Sequence, residues 1–129
     1  MIAGIGVDSV EIERFALWHS YSRKRLSRIF SPQEIDYCLQ QTNKSAERFA
    51  ARFAAREALF KALSYAYIDF SLPFLTLCSH VIITKVDGRP YITMADNIGI
   101  DLSSFIIHLS LSHTRAQATA FVVIERLML

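Results

Sequence analysis

Residues 45–66 contain no glycine or proline and are rich in Ala, Leu, Arg, Glu and Lys. Alanine and the straight-chain residues lose least on entering a helix. The stretch therefore predicts one long helix around which the rest of the chain must pack. At about 100° per residue, Phe49, Phe53 and Phe60 share a stripe, while Ala50, Ala51, Ala54, Ala55, Ala58 and Ala62 spread over a broad opposite flank. Glu57 and Lys61 lie between these two faces at i and i+4. On an exposed helix such a pair is worth about 0.2–0.5 kcal/mol; between two apolar flanks it equally suits the wall of a cleft. Arg48, Arg52 and Arg56 form a further stripe, with no acid three or four residues from any of them. Either that stripe is solvated, or one or more of its guanidinium groups meets an anion such as phosphate.

The flanking sequence is sparsely punctuated, with 4 Gly and 3 Pro. Residues 2–8 read as a short apolar strand ending in Asp8, and residues 11–28 read as helical with a basic second half (Arg23, Lys24, Arg25, Arg28). Ser31-Pro32-Gln33-Glu34 opens another helix, running to about Leu39. Serine serves as its N-cap, proline suits the first helical position, and glutamate at the third completes a capping box. Residues 81–86 and 91–94 flank Asp87-Gly88-Arg89-Pro90, a hairpin signal. Residues 96–101 suit a short helix, and 105–112 with 118–125 read as a second hairpin. A strand, three helices and then several strands make an α+β fold. The length of 129 residues fits one domain spanning 1–129.

Composition removes several classes of function. With 52% hydrophobic and 20% charged residues the chain is not disordered. A mean hydropathy of +0.26 is high for so small a domain and points to apolar surface covered by another subunit. A net charge of +2 is too weak for general nucleic-acid binding. The longest apolar stretches are interrupted by Ser71, Pro73 and Ser79, short of the roughly 20 residues of a membrane span. The N-terminal residues lack the basic region, apolar core and cleavage site of a signal peptide. Two cysteines, Cys38 and Cys78, are too few for a disulfide framework. A cytoplasmic protein is expected.

Asp8 suits a turn or cap. Together with Glu57 it would also make a site for Mg²⁺, an ion that keeps several waters and takes further ligands from a substrate phosphate. Along residues 105–114, Phe105, Ile107, Leu109 and Leu111 alternate with Ile106, His108, Ser110, Ser112 and Thr114, and His113 stands at the end of the first set. A solvent-facing strand explains this alternation, and a row of hydroxyls ending at Ser112-His113-Thr114 also suits phosphate oxygens. Gly4-x-Gly6 lacks the third glycine of a dinucleotide fingerprint, there is no Walker A loop, and Cys38, Cys78 and His80 lack zinc-site spacing.

Taken in order, these pieces resemble a family. Gly4-Ile-Gly6-Val-Asp8-Ser-Val-Glu11-Ile-Glu-Arg14-Phe resembles the opening of the holo-acyl-carrier-protein synthases, the small bacterial phosphopantetheinyl transferases. Arg52-Phe-Ala-Ala-Arg-Glu57-Ala-Leu-Phe-Lys61-Ala-Leu resembles their second motif, and Gly88-Arg-Pro90 their Gly-Lys-Pro turn. Ser110-Leu-Ser112-His113-Thr114 is similar to the third motif, and Val122-Val-Ile-Glu-Arg-Leu127 to the C-terminal strand.

The resemblance implies a phosphopantetheinyl transferase-like fold and the transfer of 4′-phosphopantetheine from coenzyme A to a serine of apo acyl carrier protein in fatty acid biosynthesis. The other product is 3′,5′-ADP. It implies Asp8 and Glu57 as Mg²⁺ ligands and Lys61 near the diphosphate, these three being the catalytic set. It implies Arg52, Ser112, His113 and Thr114 at the coenzyme A phosphates and Pro90 near the adenine. Arg14 and the basic helical region after it match the surface for the acidic carrier protein, where charge would steer association. The family forms homotrimers with active sites between subunits. The base for the serine stays open between Asp8, Glu57 and a metal-held water.

The sequence departs from the family pattern in three places. Ala51 replaces a common glycine, Arg56 a common lysine, and Ser64-Tyr65-Ala66-Tyr67 stands where the family has Gly-Thr-Gly. Either the helix runs on past Leu63, or residues Asp69 to Pro73 rebuild the loop. The missing glycines motivate an alternative, a degenerate module that binds coenzyme A or a carrier protein without catalysis. A plain oligomeric interaction domain is the third reading.

Overall fold

The structure, a computed structural model, describes residues 1–95 and 98–128. Strand β1 (Ile2–Glu11) is followed by two short 3₁₀ turns (Ile12–Phe15 and Trp18–Ser20), then helices α1 (Arg23–Leu26), α2 (Pro32–Leu39), α3 (Thr42–Ala66) and α4 (Phe74–Ser79). Strands β2 (Val81–Val86), β3 (Arg89–Met94), β4 (Phe105–His113) and β5 (Gln117–Arg126) complete the chain. The expected α+β order holds. The expected helix over 11–28 does not: β1 carries on through Glu11, and the rest of the stretch forms 3₁₀ turns and one short helix. The basic run Arg23-Lys24-Arg25 offers no apolar stripe to anchor a longer helix. Of the short helix expected over 96–101, residues 96 and 97 lie outside the described residues, and 98–101 are not helical.

Strands β1, β5 and β4 form one antiparallel sheet in that order, and β2 with β3 forms a separate hairpin. The hairpin turns on Asp87 and Gly88 alone, both with positive φ (51° and 76°). This is the two-residue turn whose twist matches the strands, so Arg89 and Pro90 already belong to β3.

Helix α3 lies across one face of the sheet. Ala54, Ala55, Ala58, Leu59, Ala62 and Leu63 are fully buried against Ala118, Ala120, Val122 and Ile124 of β5. The approach to β1 is closer still. A Cβ placed on Gly4 would overlap the carbonyl oxygen of Ala62, and one on Gly6 that of Ala58. Gly4-x-Gly6 is therefore a packing device, two same-face glycines one helical turn of alanine apart, and not a phosphate loop. The phenylalanine side of α3 is covered by Phe15, Trp18 and Phe30. Among the described residues no helix is long and apolar enough to cross a membrane.

Candidate active site

Alternation along β1 puts Gly4, Gly6, Asp8 and Val10 on the α3 side of the sheet. The glycine contacts draw strand and helix together, and Asp8 comes up against Glu57 and Lys61. Lys61 Nζ lies 3.2 Å from Asp8 Oδ1 and donates to the Val7 carbonyl at 3.0 Å. The other oxygen, Asp8 Oδ2, is buried with no hydrogen-bond partner among the described residues. Burial raises the Glu57 pKa above its ordinary value and the Asp8 charge raises it further, while Lys61 and Arg14 oppose the rise. Asp8 thus sits in mid-strand and does not end it, since β1 continues to Glu11.

Two carboxylates near enough for the charge of Asp8 to raise the Glu57 pKa, one with an orphaned oxygen, fit a small hard cation. Among the described residues no group of three or more His, Cys, Asp or Glu forms a metal cage. An ion that keeps its own waters and borrows phosphate oxygens suits such a pair. Arg14, expected on a partner surface, is exposed, lies over the Phe15 and Phe53 rings at 5.7 and 5.9 Å, and lends its charge to Glu57.

A second group gathers elsewhere. Arg52, Pro90, Ser112 and His113 line one cleft of about 330 Å³ with Tyr37, Lys44, Glu47, Arg48 and Lys85. His113 Nε2 is 3.3 Å from Glu47 Oε1. Arg52 is buried, and its Nε has no hydrogen-bond partner among the described residues. Thr114 stands apart, its Oγ1 accepting the backbone N–H groups of Ala116 and Gln117 in the β4–β5 turn. Glu57 stands five positions after Arg52, which turns them roughly 140° apart on the helix; the carboxylate centre and the basic cleft face different sides of α3.

The arginine stripe divides by role. Arg56 is fully buried and pairs in a fork with Glu34: Nη1 donates to Oε2 at 2.8 Å and Nη2 to Oε1 at 2.7 Å. The same Nη2 donates to the Val81 carbonyl at 2.8 Å. Glu34 also caps α2 with Ser31 and accepts the Ile83 N–H at 3.2 Å. Arg56 is thus neither solvated nor a phosphate ligand. Tyr37, Lys44, Glu47 and Lys85 went unread in the sequence. They come from three elements, Tyr37 from α2, Lys44 and Glu47 from α3 and Lys85 from β2, and no local spacing links the three.

Where the family has Gly-Thr-Gly, α3 runs on through Ser64 and Tyr65 to Ala66, capped by the Tyr67 N–H on Leu63. Of the two expectations for this departure, the longer helix is the one observed.

The two centres define a class: an α+β domain with a lysine and two carboxylates on one side of its central helix and a cationic cleft on the other. Residues 4–122 match the model of the 4′-phosphopantetheinyl transferase superfamily. The chain is 38% identical over 131 residues to a holo-(acyl-carrier-protein) synthase of Cytophaga hutchinsonii, covering 98% of this chain and 99% of that one. It is 36% identical over 132 residues to that of Clostridium perfringens, covering 97% and 95%. The crystal structure of the Bacillus anthracis synthase, in complex with CoA (3′,5′-ADP), superposes with a TM-score of 0.76 at 28% identity over 98% of both chains. The chain belongs to the 4′-phosphopantetheinyl transferase superfamily and, within it, to the holo-acyl-carrier-protein synthases.

Proposed function

We propose that this chain transfers 4′-phosphopantetheine from coenzyme A to a serine of apo acyl carrier protein, with the Asp8–Glu57–Lys61 centre as its catalytic site. The observation that carries the assignment is the buried, unpartnered Asp8 oxygen beside a Glu57 carboxyl that burial and Asp8 push up. Asp8 and Glu57 would hold Mg²⁺, which supplies positive charge against the diphosphate. Lys61, already lodged against Asp8, adds a second cation there. Phosphoryl transfer is governed by positioning and charge, so no covalent nucleophile is needed on the chain.

Arg52, Ser112 and His113 take the coenzyme A phosphates and Pro90 flanks the adenine. Thr114 keeps one O–H to donate to the same ligand while its oxygen caps the turn. Arg14 stands where the carrier protein arrives, and Lys24, Arg25 and Arg28 are further exposed cations that follow it in the chain.

In this reading the complete site lies between neighbouring copies in a homotrimer. Two features support this. Arg52 and Lys61 point to opposite sides of α3, so one chain presents two half-sites. Ile5, Val7, Phe121 and Ile106 are exposed together on the sheet face that α3 leaves open, an apolar surface suited to burial by another copy. A cytoplasmic location fits two free, buried cysteines.

Incubation with coenzyme A, Mg²⁺ and a cognate apo acyl carrier protein should add one phosphopantetheine group, read by intact mass. Coenzyme A binding without mass gain would favour the binding-module reading instead. Asp8→Ala and Glu57→Ala should each abolish transfer in a folded protein. Normal rates in both would overturn the metal assignment.

A further inference from the structure

Tyr37, half-buried on α2, is met by three cations from two other elements. The Arg48 and Arg52 guanidinium carbons lie 3.9 and 4.6 Å from its ring centroid, and Lys85 Nζ lies 5.7 Å away. Arg48 Nη1 donates to the Tyr37 carbonyl at 2.7 Å, and Lys85 Nζ donates to the phenol oxygen at 3.5 Å. Among the described residues none of these three cations is ion-paired. Glu47, the acid in the same cleft, is turned to His113. Three like charges this close repel one another. An aromatic face, negative at its centre, attracts each of them without neutralising any.

We propose that Tyr37 is a positioning residue whose ring gathers Arg48, Arg52 and Lys85 into the wall of the cleft that takes the phosphate-bearing nucleotide end of coenzyme A. This rests on the transferase reading above. Tyr37 acts through the cations it holds. Long basic side chains lose rotamer freedom when a ligand fixes them, and the ring imposes that order beforehand. The cleft lies on the far side of α3 from the reacting carboxylates, so the gain falls on binding and not on the chemical step.

The test measures the dissociation constant of coenzyme A by calorimetry and KM with kcat in the transfer assay, for wild type and for Y37F, Y37L and Y37Q. Y37L and Y37Q should each raise the dissociation constant and KM about tenfold with kcat within about twofold, a change of about 1.4 kcal/mol. Y37F retains the ring and should recover most of the affinity. In an R48Q background, Y37L should weaken binding by much less than tenfold, because one of the cations it acts through is gone. Wild-type affinity in both Y37L and Y37Q, a Y37F as weak as either, or a kcat that falls as far as KM rises would overturn the proposal. A wild-type protein that binds coenzyme A but transfers nothing would remove the functional reading alone, and the dissociation constants would still decide the role of Tyr37.

Discussion

Removing the Arg56 head group while leaving Glu34 in place should be among the most damaging single changes in this fold. Arg56→Met keeps the stem and the volume near α3 but strands a carboxylate that is wholly out of solvent. Glu34 Oε2 loses its donor at 2.8 Å, Oε1 loses one at 2.7 Å, and the Val81 carbonyl loses one at 2.8 Å. Breaking one side of such a pair costs about 3–5 kcal/mol, against a total stability of roughly 5–15 kcal/mol for a domain. For a chain of this length each kcal/mol shifts the midpoint by about 3–5 °C, so Tm should fall by roughly 10–20 °C. Arg56→Lys keeps the charge but gives up the fork and should cost about 1–2 kcal/mol. The decisive comparison is Glu34→Gln with Arg56→Met together. Removing the stranded charge should make the double variant more stable than Arg56→Met alone by about 2 kcal/mol. Urea denaturation of wild type, Arg56→Met, Arg56→Lys, Glu34→Gln and the double variant measures these differences. An Arg56→Met protein within about 1 kcal/mol of wild type, or a double variant whose loss equals the sum of the two singles, would refute the reasoning.

Three further outcomes are expected. Glu57 has a raised folded pKa, so in metal-free protein its stabilising contribution is complete below its ordinary value of 4.5 and is lost as pH rises through the folded value. Glu57→Gln should therefore raise the neutral-pH Tm of metal-free protein while abolishing transfer; a lower Tm would contradict the assigned burial and repulsion. Gly6→Ala should cost about 3 kcal/mol or more, or fail to give soluble protein, because its methyl would overlap the Ala58 carbonyl oxygen, which belongs to helix backbone and cannot swing away. Cys38 and Cys78, whose thiols burial pushes up to about 12, should resist alkylation by iodoacetamide in native protein and react once it is unfolded; rapid native labelling would show that one of them is reachable.

How much of this was legible depended on whether the signal was local. The α2 start was readable because a capping box is complete within Ser31–Glu34, and its hydrogen bonds are all present. The β2–β3 turn was readable because Asp-Gly between strands names its own geometry. Helix α3 was readable from composition, and its start lies three residues before the expected Ser45. The stretch 11–28 misled because residues without Gly or Pro resemble one helix in propensity, yet Ile12, Phe15, Trp18 and Leu26 reach the core through two 3₁₀ turns and one short helix. Sequence distance hid the rest. Glu34 looked complete as a cap, although its carboxylate also serves Arg56, which lies 22 residues further on.

The arginine stripe shows why spacing alone does not assign a charge. Arg48, Arg52 and Arg56 are chemically identical and evenly spaced, yet as α3 passes under α2 and β2 Arg56 meets a carboxylate while Arg48 and Arg52 meet the Tyr37 ring. Arg56 is deepest and finds a carboxylate, so its charge is spent within the fold. Arg52 is one turn nearer the cleft. Among the described residues it pairs with no acid, its Nε has no partner, and an aromatic ring supports it, so its charge is not spent within the fold. Arg48 lies a turn further out and holds the Tyr37 carbonyl from the rim. An anion entering the cleft therefore meets two of the three, and the third fixes the helix that presents them. Substitutions along the stripe should separate accordingly: Arg56→Met should lower Tm with little change in the coenzyme A affinity of the molecules that remain folded. Arg52→Met should weaken that affinity by about tenfold or more with a smaller loss of Tm. The reverse pattern would show that depth along α3 does not set these roles.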